Sequence, residues 1–593
     1  MAGEPAADLA AMLDRAVAAH RAGRIGEAEA GYRAILAAAP RHADAMHLLG
    51  LAAHQRGRHA EAAETIAAAI ALLPSAPAFH SNLGTTLLAL GRTQDAVEAC
   101  RRAVAIDAEF PDGWHNLGVA LLIAGEMQDA ESCHARAAAL RPDYPEAFLG
   151  WGGALMALGR EADAATRFAQ AAALRPSYAE AHDSLGLAVM GLGRIDEAER
   201  CFRRALAEQP DLAGAASHLG IALRRQDRAD PAIACFRHAL ALMPDHPEAH
   251  NNLATALVEK RGLDEAEAHY RAALALTPDY ADAHANLGML LLTKGDLAAG
   301  WAEYEWRWRQ PRRVSFHSGF AQPQWRGENA AGRTLLVHAE QGFGDTIQFC
   351  RFAPLAAAKG LRVVLEVQTP LVRLLRGLPG LVQVIGRGET LPDFDLHCPM
   401  LSLPLALGTT LDTIPAETPY LAAEPEAVAE WGASLAAASR AGRRVGLVWS
   451  GNASTRQPQS SGMDRRRSID PRLLLPLADV PGLHLVSLQK DGPPPPEGLP
   501  VTDLMARVDD FADTAALIAN LDLVVSVDTA VAHLGAALGK PVWLMDRFDA
   551  CWRWLDGRAD SPWYPGLRIY RQPAPGAWHM VVEAIARDLS ATA

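Results

Sequence analysis

Small residues recur every 34 positions through the first half of the chain. Alanines keep this interval from Ala28 to Ala266, glycines keep it from Gly50 to Gly288, and prolines keep it from Pro40 to Pro278, with few interruptions. Proline ends a helix because it lacks the amide donor and clashes with the preceding turn. The three series in phase predict eight stacked helix pairs and a ninth, atypical pair that ends near Gln310.

Aromatic rings and turn glycines follow the same interval. The rings stand four residues after an alanine of the series, and we expect them to fill the space between neighbouring units. The spacing Trp114-x2-Leu117-Gly118 resembles the tetratricopeptide repeat, and the resemblance implies an all-α superhelix that binds another protein. The rings are Tyr32, Phe168, Phe202, Phe236 and Tyr270, and the turn glycines are Gly57, Gly91, Gly125, Gly159, Gly193 and Gly295.

A row of polar residues stands two positions before most of the spaced glycines, on the first helix of the pairs. One interpretation is a set of side chains that grips an extended acceptor peptide, because this face lines the groove of such stacks. The other is hydrogen bonding between helices, or plain solvation. Recurrence in phase favours binding. The predicted residues that bind an acceptor protein are Asn82, Asn116, Ser184, His218, Asn252 and Asn286.

After Gln310 the repeat stops, and short apolar stretches alternate with helical ones. This alternation is typical of parallel sheets with helices on their faces. The predicted fold is therefore an all-α repeat superhelix followed by an α/β region of two Rossmann-like lobes. Its predicted domains are residues 1–310, a linker at 311–330, a first lobe at 331–440, and a second lobe at 441–593 with a C-terminal helix.

The predicted elements of the two lobes place the candidate loops. The first lobe has strands at Thr334–Ala339 and Leu361–Val367 around a helix at about Thr346–Ala358. The second lobe has strands at Val445–Trp449, His484–Leu488, Leu523–Val527 and Pro541–Met545, and helices at Pro471–Ala478, Ala512–Asn520 and Thr529–Leu538. Ligands of parallel sheets bind at the carboxyl ends of the strands, so the loops that follow these strands are the candidate sites.

Two of these loops carry the clearest chemistry. In the first, Gly342 and Gly344 allow a ligand to approach the backbone, and Asp345 is either a helix cap or a general base. In the other, Asp528 and Thr529 stand at the start of a helix whose free amides attract phosphate.

The remaining candidates extend the second of these sites. His533 falls one turn into the helix and is able to donate a hydrogen bond to an anion. A loop after Trp449 adds small polar groups, and an arginine further along it is either a phosphate ligand or a solvated basic residue. The predicted donor-binding residues are thus Gly342, Gly344, Ser450, Asn452, Arg467, Gln489, Asp528, Thr529, Ala530 and His533.

Other chemistries are less favoured. Asp393-Phe-Asp395 has a form that some glycosyltransferases use for a metal, but it opens an apolar strand pattern, so no metal site is expected. The dinucleotide fingerprint lacks its third glycine, where Ile347 stands. Trp301, Tyr304 and Trp308 share one helical face near the end of the repeats, which favours packing against the next domain over base stacking.

The bulk composition narrows the choice of partners. The net charge is −13 and the pI is about 5.9, which disfavours nucleic acid as the main partner. No apolar run is long enough for a membrane span, and the first residues do not have the form of a signal peptide. The seven cysteines form no CxxC pair, and we expect a cytoplasmic protein.

The stretch Val527-Asp-Thr-Ala-Val-Ala-His-Leu-Gly-Ala-Ala-Leu-Gly-Lys-Pro541 resembles the donor-site signature of the heptosyltransferase-like glycosyltransferases of family 9. The loop at Gly344-Asp345 resembles the acceptor-side loop of that family, whose aspartate is its proposed base. The resemblance implies a GT-B fold that needs neither metal nor cofactor and takes a nucleotide sugar as donor. The family often has glycine at the position of Ala530, which puts the closest approach of backbone to phosphate in question.

The stretch from Trp552-Arg-Trp554 to Ser561-Pro-Trp-Tyr-Pro565 is similar to bacterial proteins that fuse tetratricopeptide repeats to such a domain. Some alphaproteobacterial members glycosylate flagellin, so the resemblance implies flagellin as a candidate acceptor and CMP-pseudaminic acid as a candidate donor. The favoured function is a protein O-glycosyltransferase that modifies Ser or Thr, with Asp345 as base. The alternative is a non-catalytic adaptor whose transferase-like region only binds a ligand.

Overall fold

The computed structural model describes residues 4–310, 319–438, 442–451 and 465–591. They divide into two compact units, Met1–Pro244 and Asp245–Ala593. The first unit holds seven of the helix pairs, and the second holds the last two pairs together with the α/β region. Each unit is described by itself below.

The repeats form nine antiparallel helix pairs within the described residues, which confirms the predicted superhelix. The ninth pair is atypical as expected, because its second helix has only eight residues and runs into a 3-10 helix at Glu305–Arg309. The helices are α1 Glu4–Arg21, α2 Ile25–Ala38, α3 Ala43–Gln55, α4 His59–Leu72, α5 Pro77–Ala89, α6 Thr93–Ile106, α7 Pro111–Ala124, α8 Met127–Leu140, α9 Pro145–Ala157, α10 Glu161–Leu174, α11 Ala179–Gly191, α12 Ile195–Glu208, α13 Ala213–Arg225, α14 Ala229–Leu242, α15 Pro247–Glu259, α16 Leu263–Leu276, α17 Ala281–Lys294 and α18 Leu297–Tyr304.

The spaced glycines and rings explain why the helices of a pair approach so closely. A Cβ atom built on Gly186 would lie 2.4 Å from the ring of Phe202, and one built on Gly220 would lie 2.6 Å from the ring of Phe236. Both rings are fully buried. Each ring therefore packs on the glycine of its own helix pair, and any larger residue at the glycine position would push the two helices apart.

The α/β region contains two sheets in which every strand pairing is parallel. The four-stranded sheet has the order β3-β2-β1-β4, and the six-stranded sheet has the order β10-β9-β8-β5-β6-β7. Counted from its own first strand, the larger sheet follows the 3-2-1-4-5-6 order of doubly wound folds. The strands are β1 Thr334–His338, β2 Arg362–Val367, β3 Leu381–Gly386, β4 Leu396–Pro399, β5 Arg443–Val448, β6 Leu483–Ser487, β7 Val501–Asp503, β8 Leu523–Val527, β9 Val542–Asp546 and β10 Leu567–Arg571.

Helices of the α/β region agree with the predicted positions but are more broken. A 3-10 turn at Cys350–Phe352 splits the predicted first helix, and Pro476 lies inside a segment at Pro471–Asp479 that is 3-10 rather than α. The α-helices are Phe343–Phe349, Ala353–Ala358, Val372–Leu375, Leu403–Ala406, Pro425–Ala438, Phe511–Ala519, Ala530–Ala537 and Trp578–Ala591, and the other 3-10 segments are Thr369–Leu371, Met400–Ser402, Leu411–Thr413, Met505–Arg507 and Trp552–Trp554.

The last helix pair is part of the core of the α/β region. Trp301 and Tyr304 on α18 are buried in the same apolar cluster as the strands of both sheets. The ring of Trp301 meets Phe349 and Trp552 edge to face, with centroids 6.0 and 5.4 Å apart. These contacts confirm the prediction that this aromatic cluster packs against the following domain.

A buried arginine ties the same helix pair to the first sheet. The guanidinium of Arg307 donates two hydrogen bonds of 2.9 Å to the carboxylate of Glu340, which directly precedes the Gln341–Asp345 loop, and further bonds to Glu305 and Ser402. Burial lowers the pKa of Arg307, but the charges of Glu340 and Glu305 outweigh this and raise it overall, so the guanidinium stays charged.

Candidate functional site

The two loops with the clearest predicted chemistry meet in the structure. One leads from β1 into helix Phe343–Phe349, and the other leads from β8 into helix Ala530–Ala537. A Cβ atom built on Gly344 would lie 3.0 Å from Cδ2 of His533 and 3.5 Å from Cα of Ala530. The carboxyl ends of the two sheets are thus joined at this point, and the glycine permits the contact.

Asp345 lies at the centre of this junction. Its Oδ2 accepts a hydrogen bond of 3.1 Å from the backbone N–H of Gly342, the N-cap residue, so the carboxylate satisfies one free amide at the helix start from the third helical position. Its Oδ1 forms an ion pair with Nη2 of Arg553. The N-cap residue of this helix is Gly342, so the interpretation of Asp345 as the N-cap is wrong; the carboxylate bonds to the helix start from the third helical position and also faces a charged partner, Arg553.

His533 is buried on the opposite side of the junction. Its Nδ1 lies 3.1 Å from the hydroxyl of Tyr564, its ring stacks on Trp554, and its Nε2 lies 3.9 Å from Oδ1 of Asp528. Burial lowers the pKa of His533 to about 4, against the opposing charge of Asp528. The ring is therefore neutral at neutral pH and carries one N–H that is able to donate to an anion.

The start of helix Ala530–Ala537 has the geometry expected of an anion site. Thr529 is its N-cap residue and makes no side-chain capping bond in the described structure; its hydroxyl lies 3.0 Å from that of Ser526. The first amides of the helix consequently have no capping side chain, and the helix dipole favours negative charge there. Nη1 of Arg467 donates to the carbonyl of Asp528 at 3.1 Å, which places this predicted arginine beside the same helix start.

Two further predicted donor-binding residues, Ser450 and Gln489, are hydrogen-bonded to each other. Oε1 of Gln489, after β6, accepts the backbone N–H groups of Trp449 and Ser450 at 3.1 and 2.9 Å, and its Nε2 donates to the carbonyl of Ser450 at 3.2 Å. Gln489 thereby fixes the backbone of Trp449 and Ser450, directly after β5. Asn452 lies outside the described residues, and donor binding by Ser450 and Gln489 stays a prediction.

Sequence reasoning did not assign Arg553 to the site. It stands in the 3-10 helix Trp552–Trp554, which the sequence marked only as part of a family resemblance, and its partner Asp345 lies 208 positions earlier. The charge of Asp345 acts against burial and raises the pKa of Arg553. The sequence does contain a signal for Arg553, because an arginine between two tryptophans is an unusual setting for a cation. This signal does not indicate that Asp345 is its partner.

The last two helix pairs also reach the site, which sequence reasoning missed. Gln341, beside the glycine loop, donates to the hydroxyl of Tyr304 at 2.7 Å. Arg261 binds Asp556 at 2.5 Å from a turn where its φ of 61° replaces the usual glycine. A residue other than glycine in this conformation carries backbone strain, and the ion pair with Asp556 offsets part of that cost.

The predicted acceptor row makes regular contacts between neighbouring helix pairs. Four of its members bond to a residue 35 positions earlier, which supports the interpretation as helix–helix hydrogen bonds. All six remain partly exposed, so peptide binding stays a prediction. The pairs are Asn82 with His47 at 2.9 Å, Asn116 with Ser81 at 2.9 Å, His218 with Asp183 at 2.8 Å, and Asn286 with Asn251 at 3.0 Å.

Asp393 and Asp395 do not form a joint ligand set. Asp395 uses its carboxylate to accept the backbone N–H of Thr334 at 2.8 Å, which aligns β1 with β4, while Asp393 is exposed. Across the described ranges, no group of three or more His, Cys, Asp and Glu side chains is arranged to hold a metal ion. Among the helices of the same residues, none is long and apolar enough to cross a membrane.

Family models match both halves of the chain. Tetratricopeptide-repeat models match residues 13–77, 62–113, 81–147, 179–212 and 211–279. The model described as glycosyltransferase family 9 (heptosyltransferase) matches residues 496–543, which include β8 and helix Ala530–Ala537. The chain therefore carries tetratricopeptide repeats followed by a glycosyltransferase-like region.

Similar individual proteins are known for parts of the chain. Protein FlbA of Caulobacter vibrioides is 26% identical over 342 residues, which are 50% of this chain and 54% of FlbA, so the chain spans about half the length of this curated relative. The APC/C hetero-tetramer Cut9–Hcn1 is 21% identical, with a TM-score of 0.40 over 47% of this chain and 55% of that one. The tetratricopeptide-repeat protein TTC0263 of Thermus thermophilus is 27% identical, with a TM-score of 0.28 over 31% of this chain and 100% of that one.

Proposed function

We propose that this chain, in which tetratricopeptide repeats are fused to a glycosyltransferase-like region, is a metal-independent GT-B enzyme that glycosylates a protein in the cytoplasm. The observation that carries the proposal is the junction of the Asp345 loop with the Asp528–His533 loop. It places a carboxylate able to take a proton beside a helix start able to hold an anion. A sugar transferase that activates its acceptor with a general base uses these two groups together.

The proposed reaction follows from these positions. Asp345 accepts the proton of an acceptor Ser or Thr hydroxyl while that oxygen attacks the anomeric carbon of a nucleotide sugar. The bond between the anomeric carbon and the nucleotide's phosphate oxygen breaks, and the nucleotide leaves as an anion. The amides at the start of helix Ala530–Ala537, the N–H of neutral His533 and the guanidinium of Arg467 stabilise its charge.

In this proposal, the repeats bind and select the acceptor protein. Each unit carries part of the row, with Asn252 and Asn286 in the second unit and the other four residues in the first, and all six side chains are partly exposed, which suits contact with the backbone of an extended segment. The similarity of Trp552–Pro565 to fused bacterial proteins makes flagellin the first acceptor to test and CMP-pseudaminic acid the first donor. Both assignments belong to the proposal.

Intact-mass measurement tests the proposal directly. Flagellin and other candidate acceptors are purified from cells with and without this chain, and their masses are compared. We expect an increase by whole sugar residues, removed by mild alkaline elimination, only where the chain is present. An adaptor without activity would leave every acceptor at its unmodified mass although it still binds one of them.

A further inference from the structure

The contacts of Arg553 orient its guanidinium towards Asp345. Its side chain is largely buried, its guanidinium lies over the ring of Trp552 at 4.3 Å, and Nη1 contacts Sγ of Cys551 at 3.1 Å. Nη2 forms the ion pair with Oδ1 of Asp345. Stacking on an aromatic ring fixes the plane of a guanidinium and leaves its fork free to bind an anion.

The same guanidinium lies within electrostatic range of the predicted phosphate site. The charges of both Arg553 and Asp345 act on the buried ring of His533, and the charge of Asp528 acts on Arg553. Gly344, the residue before Asp345, is in contact range of His533. Arg553 is thus paired with the proposed base, and the next residue, Trp554, stacks on His533 with ring centroids 4.9 Å apart, one turn into the helix whose start would receive the leaving group.

This position creates a conflict for the proposed base. The hydrogen bond from the guanidinium occupies a carboxylate oxygen that an acceptor hydroxyl would otherwise approach. Oδ2 of Asp345 accepts the N–H of Gly342 and Oδ1 is paired with Arg553, so both carboxylate oxygens already have a partner. An anion that binds Arg553 in place of Asp345 would leave Oδ1 free for the acceptor hydroxyl.

We propose that the other anion is the phosphate of the donor, so that Asp345 and a nucleotide phosphate compete for Arg553. This inference rests on the proposed function and adds a specific residue and an order of events to it. Phosphate matches the planar fork of arginine at least as well as carboxylate does, with two parallel hydrogen bonds. A bound nucleotide then releases Oδ1 of Asp345, and the base becomes competent only after the donor is in place.

The competition has a signature that a purely structural ion pair does not have. Removing the charge of Asp345 should strengthen nucleotide binding, because no ion pair between Arg553 and Asp345 then has to break before the phosphate binds. We expect Asp345→Asn to bind nucleotides about tenfold more tightly than the unsubstituted chain does, since a competing state lowers apparent affinity in proportion to its population. Affinity for the corresponding nucleosides, which lack phosphate, should not change.

The test is calorimetric titration of the full chain with UDP, GDP, ADP and CMP and with the four nucleosides. Asp393→Asn is the matched control for Asp345→Asn, because Asp393 is exposed. Arg553→Gln should lower the affinity for nucleotides and leave the affinity for nucleosides unchanged, and Arg553→Lys should restore part of the loss. Arg558→Gln, which removes an arginine paired with Asp560 at the surface, should have no effect.

The outcomes separate this inference from the proposed function. If a nucleotide binds the unsubstituted chain but Asp345→Asn binds it equally or more weakly, the competition is refuted and the transferase proposal stands. If none of the nucleotides binds the unsubstituted chain, the proposed function fails and this inference fails with it. Melting temperatures of all variants identify any that do not fold, and Asp345→Asn and Arg553→Lys decide the question if Arg553→Gln is one of them.

Discussion

Gly344 sets the distance between the two helix starts of the site. A Cβ atom there would lie 3.0 Å from His533, closer than most real Cβ contacts, and the nearby backbone of Ala530 has little freedom to move. We expect Gly344→Ala to lower kcat by about ten- to a hundredfold, because small displacements of positioned groups are costly in catalysis. Gly377→Ala is the control, since a Cβ at Gly377 would meet no atom within 4 Å. Equal kcat values for the two variants would show that the close contact is not needed.

The buried His134 makes the stability of the first unit depend on pH. Its ring is fully buried, and neither of its nitrogens has a hydrogen-bond partner in the described part of the chain. Burial lowers its pKa from 6.5 to about 3. The unfolded chain binds a proton there below pH 6.5 and the folded chain does not, so stability is lost as the pH falls from about 6.5 towards 3.

Replacing His134 by phenylalanine should remove this pH dependence of stability. Phe168 fills the equivalent position of the next helix pair, so His134→Phe suits the same space. We expect the free energy of unfolding to rise by about 1–3 kcal/mol, and its slope between pH 4 and 6 to fall by up to about 1.4 kcal/mol per pH unit. Urea denaturation at several pH values measures both. The converse change, Phe168→His, should lower stability and steepen the slope, and an unchanged slope in both variants would refute the assignment.

At the residue scale, the sequence selected two loops that the structure brings together, while their roles in binding and catalysis stay predictions. Motif spacing and the rule that ligands bind at the carboxyl ends of strands were enough to select Asp345 and the residues from Asp528 to His533, which the structure brings together. Arg553 was missed because a partner 208 positions away leaves no local pattern. The role of Gln489 in holding a loop was also not predictable, because it depends on the backbone of a neighbouring strand.

The 3-10 helix Glu305–Arg309 carries the connection between the repeats and the α/β region. Arg307 is almost fully buried and shares two hydrogen bonds with Glu340, which is also buried. Arg307→Ala would leave that carboxylate without its countercharge, and we expect the second unit to lose about 3–5 kcal/mol of stability. Thermal unfolding followed by calorimetry measures the loss. Arg309→Ala, on the exposed side of the same helix, should cost about 1 kcal/mol or less, and equal effects would contradict a special role for Arg307.

Elements with strong periodicity were predicted well, and weakly patterned ones were missed. Strand β8 agrees with its prediction at both ends, and the helix pairs agree throughout the repeats. The three missed strands, β3, β7 and β10, all lie at sheet edges or far from the sheet centre, where one face is exposed and the apolar run is interrupted. Their residues carry little signal because burial, which shapes the pattern, is incomplete there.

The whole molecule does not divide where its sequence repeat ends. Leu292, Leu297, Trp301 and Tyr304 from the last helix pair belong to the same buried cluster as the strands of the α/β region. We expect residues 311–593 alone not to fold, because this core would be exposed to water. Residues 245–593 should fold and bind nucleotide but should not modify an acceptor, since four of the six predicted row residues are removed. A cooperative thermal transition in 311–593 would contradict this view.

The central claim is that Asp345 accepts a proton at a site shared by the two loops. The most direct measurement is the rate of sugar transfer to a protein acceptor by the purified full chain, compared between Asp345→Asn and the control Asp393→Asn. The account predicts that Asp345→Asn loses about 10²–10⁴-fold in kcat while it binds the nucleotide at least as tightly as the unsubstituted chain, and that Asp393→Asn is unchanged. Normal turnover by Asp345→Asn would contradict it.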